Sequence, residues 1–268
     1  MIRSIWLRPS VVVSLLVIVV VASWALFPGV FASHDPLAGS PGEALQPPSG
    51  AHWFGTDATG RDLFSRVVAG SVHSLTGGAA AVTIGCVTGT TMGIVAGAVG
   101  GIVDDILMRI VDVLLAIPGL LLALSVVILL GFGTTNAAIA VGVTSVATFA
   151  RLARSQVVEV RATDYVEAAF GSGGSFGSVL VRHIVPNSMA PVVALVALQF
   201  GSAILQIATL GFLGYGAPPP TPEWGLLIAE GRDYLATAWW LTTLPGAVVA
   251  AVVLATKGLS TTLRKVLG

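Results

Sequence analysis

The chain offers few groups with which to do chemistry: 268 residues hold 13 Asp and Glu, 13 Lys and Arg, four His and one Cys. His34, His52 and His73 lie in or beside one polar segment, residues 33–72, which raises a metal site. Their irregular spacing and the lack of paired ligands point instead to singly satisfied histidines, and no metal site is expected. Asp57, Arg61, Asp62 and Arg66 read as a local ion-pair and capping network, since nothing nucleophilic is grouped with them. Asp105, Arg109 and Asp112 are spaced to share one helix face, with Arg109 the nearest partner for Asp112 at the mouth of an apolar run. A proton relay would need further titratable groups deeper in that run, and residues 113–150 contain none. Gln199 and Gln206, seven apart on one face, either bond between helices or line a path. Cys86 stands alone, which excludes an intrachain disulfide and a thiolate cluster. Gly-Lys never occurs, so a Walker A phosphate loop is absent and any ATP must be bound by another chain. No catalytic residue is expected.

The longest polar passage between apolar runs in the second half is Asp164-Tyr165-Val166-Glu167-Ala168-Ala169-Phe170-Gly171-Ser172-Gly173, continuing to Arg182-His183-Ile184-Val185-Pro186-Asn187. Asp164 with Glu167 three residues on has the order of a capping box. Gly171, Gly173 and Gly174 then break the helix, and a second one is expected from about Ser175 until Pro186 interrupts it. Two short helices joined at a bend, charged on one side and apolar on the other, suit a membrane surface rather than a span.

This passage resembles the EAA loop of bacterial ABC importer permeases: Glu167-Ala168-Ala169, then Gly173, then His183-Ile184-Val185-Pro186 at the family's spacing. The fuller spelling, with Tyr165 before the loop and Asn187 after it, is similar to the dipeptide/oligopeptide branch. So is Gly-Thr-Asp-x-x-Gly-Arg-Asp-x-x-Ser-Arg at residues 55–66, and so is the passage from Leu210 to Gly225. The resemblance implies the type I ABC importer permease fold. It also implies that Tyr165, Glu167, Ala168, Ala169, Gly173, His183, Pro186 and Asn187 dock on an ATPase subunit. The implied partners are a second homologous permease, two ATPase subunits that bind ATP and Mg, and an external substrate-binding protein. Short peptides are the cargo it points to, with nickel complexes or haem as alternatives. An ion-coupled secondary carrier is the rival of another class.

The elements that must position these residues follow from composition. At 55% hydrophobic and 10% charged, with a mean hydropathy of +0.92, the chain is an all-α polytopic membrane protein with room for about six spans of roughly 20 residues each. A net charge of zero implies no nucleic-acid partner. Arg3 and Arg8 precede an apolar run from about Ser10 to Phe27, expected as an uncleaved first span rather than a signal peptide. Residues 33–73 form an external segment ending in a short amphipathic helix capped by Asp62. The second span, about Leu75 to Val99, carries Gly85, Gly89, Gly93 and Gly97 on one face, smooth enough for a helix of this subunit or of a second one. A third span reaches Leu130 with a kink at Pro118-Gly119. The fourth ends at Ala150, the fifth runs from Pro191 to about Leu213, and the sixth from about Ala238 to Thr256. Trp224, Tyr234, Trp239 and Trp240 fit an interfacial aromatic belt.

With six spans and both termini inside, ten of the 13 Lys and Arg are cytoplasmic, and only Arg61, Arg66 and Arg232 are external. That places the loop 151–187 on the cytoplasmic side of a bacterial inner membrane. The expected organisation is residues 1–32 as the cytoplasmic tip and first span, 33–73 as the external segment, and 74–268 as the permease core.

Overall fold

The computed structural model describes residues 9–267. Arg3 and Arg8 of the charge count lie outside the described residues, as does the side chain of Lys265. Five helices are long and apolar enough to cross a membrane, and a sixth span results if one bent pair is counted together.

Helix α1 (Pro9–Leu26) is apolar around its whole circumference and buries only Val11, Ser14 and Val21. An all-round apolar surface of that kind belongs in lipid. Asp62 caps α2 (Leu63–Val99) as expected, its carboxylate accepting from the Ser65 amide at 2.7 Å. The surface helix expected before the second span does not exist as a separate element. Its residues begin a single helix of 37 residues, and Leu63, Phe64, Val67 and Val68 are buried in it. No proline interrupts the run, the Gly77-Gly78 pair inside it stays helical, and α2 is about 55 Å long, well beyond a hydrocarbon core of about 30 Å.

The third span is broken rather than kinked. Helices α3 (Gly101–Ala116) and α4 (Gly119–Leu130) meet at 96° across Ile117 and Pro118, where proline cannot continue the α3 ladder. Helix α5 (Thr134–Arg161) extends past the expected end at Ala150, because Arg151 and Arg154 find acidic partners on α3: Asp112 at 2.5 Å, and Asp104 at 2.6 and 2.9 Å. The expected Arg109–Asp112 pair is therefore not formed. Spacing along one helix carries no information about Arg151, which reaches Asp112 from another helix.

After α6 (Asp164–Gly171), one α-turn (Phe176–Val179) and a π-turn (Leu180–Ile184) lead directly into α7 (Val185–Phe212). Pro186 does not interrupt this rod. The preceding π-turn shifts the bonding register, with the Val185 amide reaching back to the Leu180 carbonyl, and Pro186 falls in the first turn of the next register, where its missing donor is tolerated. Helix α8 (Trp224–Gly231) packs among α2, α7 and α9 (Trp240–Leu267).

Two apolar clusters hold the bundle. One gathers Val82, Val127, Val141, Phe149 and Leu210 from α2, α4, α5 and α7. The other joins α1, α2, α7, α8 and α9 around Trp224 and Trp240. These two tryptophans are buried anchors, not lipid-facing belt residues: their indole N–H groups donate to the carbonyls of Val67 (2.9 Å) and Thr56 (3.3 Å). Trp239 is exposed.

Candidate functional site

The bundle has two differently built ends. One carries the turn at Gly100, the stretch 161–184 and the C-terminal turns of α9. The other carries residues 27–62, the turn at 131–133 and the passage 213–239.

At the first end the stretch 164–187 forms an outward surface on a buried base. The base is Val166, Val179 and Ile184, which cluster with Ala98 of α2 and Val157 of α5. Tyr165, Glu167, Ala168, Phe170, Gly173, Arg182, His183, Pro186 and Asn187 are all exposed, while Ala169 is half-buried. A helix of eight residues with one buried valine would not hold alone, so the ends of α2 and α5 must position it. Arg161 ties them by donating to the carbonyls of Ala98 (2.9 Å) and Gly97 (3.4 Å), two of the acceptors left open where α2 ends.

The expected capping box is not formed. Thr163 occupies the N-cap, and its hydroxyl donates to the Val160 carbonyl at 2.6 Å instead. Asp164 and Glu167 both lie inside the first turn and a quarter, where their charge faces the positive end of the helix. The far end closes as a Schellman motif: Gly174 donates to the Ala169 carbonyl (3.1 Å) and Gly173 to that of Phe170 (2.9 Å). Gly173 has φ +85°, with open space where a Cβ would point, so backbone conformation rather than crowding selects glycine there. Asn187 Nδ2 donates to the His183 carbonyl at 2.6 Å, knitting the start of α7 across the π-turn.

Gly85, Gly89, Gly93 and Gly97 face α5 of the same chain. A Cβ at Gly85 would come 2.6 Å from Ser145 Cβ, and at Gly89 or Gly93 it would overlap the carbonyl oxygen of Val146 or Ala150. Gln206 is half-buried, with Thr144 Oγ1 of α5 at 3.5 Å and Gly119 of α4 close by. Gln199 is half-buried two turns nearer the 161–184 end. The two glutamines thus lie on α7 beside the broken third span.

At the opposite end Asp57, Arg61 and Arg66 form an ion-pair cluster completed by Glu230 of α8, which sequence spacing had no means of adding. Arg66, fully buried, donates to Asp57 at 2.5 Å and to Glu230 at 2.8 Å, and Arg61 Nε donates to Asp57 at 2.6 Å. Burial pushes the Asp57 carboxyl up, but the amides of Arg61 and Thr59, the Thr59 hydroxyl and the Arg61 guanidinium outweigh it and hold the group below its usual range. The cluster clasps the 33–62 segment to α8. At the start of α8, Glu223, fully buried, accepts from the Ala217 amide at 3.2 Å and leaves Oε1 without a partner.

Residues 89–265 match the family described as binding-protein-dependent transport system inner membrane component. The probable D,D-dipeptide transport system permease protein of Escherichia coli (strain K12) is 40% identical over 92% of this chain and 84% of its own. The dipeptide transport system permease protein of Alkalihalophilus pseudofirmus is 40% identical over 91% and 80%. The glutathione transport system permease protein of Escherichia coli O157:H7 is 44% identical over 78% and 69%. Among solved structures, the MetNI methionine ABC transporter in inward facing conformations contains a chain with a TM-score of 0.62, covering 76% of this chain and 96% of that one. At 16% identity that likeness is one of fold, the type I importer permease fold.

Proposed function

This chain belongs to the family of binding-protein-dependent transport system inner membrane components, and we propose that it forms half of the translocation pathway of an ATP-driven importer of short peptides. The cargo reading rests on its relatives, whose names specify D,D-dipeptides, dipeptides, glutathione and di/tripeptides. An ion-coupled carrier is not what this family is, and nothing in those names favours nickel complexes or haem.

The observation that carries the mechanism is the exposed surface 164–187 seated on the buried ends of α2 and α5 and continuous with α7. An ATPase subunit docks there, against Tyr165, Glu167, Ala168 and Ala169 at the first helix and His183, Pro186 and Asn187 at the second. ATP and Mg are held by that subunit, and the permease does no covalent chemistry. Closure of two ATPases displaces α6, and Val166, Val179 and Ile184 hand the displacement to α2, α5 and α7. Because the helical path from Phe176 to Phe212 has no break, the push reaches Gln206 and the far end of the bundle. There α8 and the Asp57–Arg66–Glu230 clasp lie on the side that receives the external binding protein. A second, homologous permease supplies the other half of the pathway. Both termini then lie in the cytoplasm of a bacterial cell whose inner membrane holds the complex.

Mild-detergent purification of this chain from its native host, with identification of co-purifying chains and an ATPase assay, tests this. A second permease and two ATPase subunits are expected. They should dissociate in a Glu167→Arg variant whose membrane insertion and thermal unfolding stay near normal, and in a Gly173→Val variant, which strains the loop backbone at φ +85° but still inserts in the membrane. A folded chain that purifies alone after crosslinking, without ATPase activity, would overturn the proposal.

A further inference from the structure

The histidines that sequence spacing left as separate, satisfied side chains come together in the fold. His34, His52 and Asp62 place one nitrogen or oxygen each within 4.8 Å of one another. His52 Nδ1 is 2.9 Å and His34 Nδ1 3.9 Å from the same oxygen, Asp62 Oδ1, and the two imidazole rings lie 4.9 Å apart. His73 is not part of this group. We propose that His34, His52 and Asp62 are the protein ligands of a divalent transition-metal site of the zinc class, at the end of the bundle that carries the 33–62 segment.

Two imidazoles and a carboxylate are a donor set suited to Zn2+, and ligand bonds of about 2.0–2.1 Å put tetrahedral donors roughly 3.3 Å apart. His52 and Asp62 are already near that separation. His34 must close by less than about an ångström toward Asp62, exchanging the Ser33 hydroxyl that now lies 3.0 Å from its Nδ1. Each ligand is fixed from behind by a serine. The His34 amide donates to Ser65 Oγ (3.2 Å), the His52 amide to Ser49 Oγ (3.1 Å), and Asp62 Oδ2 accepts from the Ser65 amide (2.7 Å). These bonds fix the backbone of residues 34 and 52 and the carboxylate of Asp62, and of them only the last is of the kind that orients a ligating side chain. Burial is graded to match, with Asp62 at 2% and His52 at 10% exposed while the His34 side chain is 44% exposed. The open side leaves a coordination position for water or for a donor from another molecule. A bound ion would join residue 34, residue 52 and the first turn of α2 at one point.

The test uses the full chain in mild detergent without a polyhistidine tag, stripped with a chelator and titrated with Zn2+ against a chromophoric competitor, then with Co2+ followed by its visible spectrum. One saturable equivalent with a tetrahedral or five-coordinate cobalt spectrum is expected. Affinity should fall about tenfold or more in His34→Ala and in His52→Ala, with thermal unfolding of the metal-free His34→Ala chain unchanged. A His73→Ala chain should bind as the parent does. Absence of saturable binding, or binding undiminished by His34→Ala, would overturn the proposal, because His34 is what distinguishes a site from a hydrogen bond between His52 and Asp62.

Discussion

Glu223 is the acid most at odds with its surroundings. It sits in the passage between α7 and α8 with Gly211 and Gly216 drawn against its carboxyl, so tightly that a Cβ at Gly211 would lie 2.8 Å from both oxygens. Burial pushes its pKa up from 4.5 to about 7, against the opposing pull of the Ala217 and Gly225 amides. Below pH 4.5 the folded and unfolded chains both hold the proton. Between 4.5 and about 7 only the folded chain does, so stability falls as pH rises through that window and levels off above it. The Glu223→Gln chain should therefore unfold at a higher temperature than the parent at pH 8, by the equivalent of about 3 kcal/mol at most. The gap should close by about pH 4, and a gap independent of pH would mean that this carboxyl does not titrate. In the sequence Glu223 is one acid in a proline-rich passage, and spacing gives no sign that it is buried. The Asp57–Arg61–Arg66 group was legible because its members are near in sequence and share a helix start. Glu230, 164 residues away from Arg66, was not.

At the scale of elements, the α2–α5 seam shows what a pattern carries. A glycine every fourth residue announces a flat helix face, since only the side-chain count enters that inference. It does not say whose backbone approaches, and the structure answers with α5 of the same chain. Gly89→Leu should drive a side chain into the Val146 carbonyl and Phe149, at the upper end of overpacking costs of about 1–3 kcal/mol or beyond. Loss of the chain from the membrane, or a markedly lower unfolding temperature, is the expected reading. Gly177→Leu, where nothing lies within 4 Å, should leave the unfolding temperature nearly unchanged. Pro186 shows the opposite case. A proline after a polar stretch ordinarily ends a helix, but a register shift of one residue upstream absorbs it, and register shifts leave little trace in composition. The two buried tryptophans were misread for a similar reason. A tryptophan with one polar atom suits a membrane interface, and it suits equally a core position where a carbonyl waits for its N–H.

For the molecule as a whole, the number and order of the apolar runs were legible, because hydropathy over about 20 residues is a strong signal. The extension of α2, α5 and α7 beyond those runs was not, since polar residues outside the bilayer leave helix and loop equally open. The two ends of the bundle should lie on opposite sides of the membrane. Single cysteines replacing exposed Ala58 and Ser172 in a Cys86→Ser chain provide the check: an impermeant maleimide applied to intact cells should label position 58 and not 172. Labelling of both, or of 172 alone, would reverse or refute the topology.

The right-angled break in the third span bears on what the isolated chain can be. Residues 115–121 are all exposed, and the last carbonyls of α3 have no following helical turn to receive them. Oil offers such groups no hydrogen bonds, and irregular backbone at membrane depth persists only where protein or water lies against it. This surface is therefore ill-suited to lipid contact. The chain is one side of a wall whose other side must be wet or protein-covered, and how long it survives in a bilayer is set by its assembly.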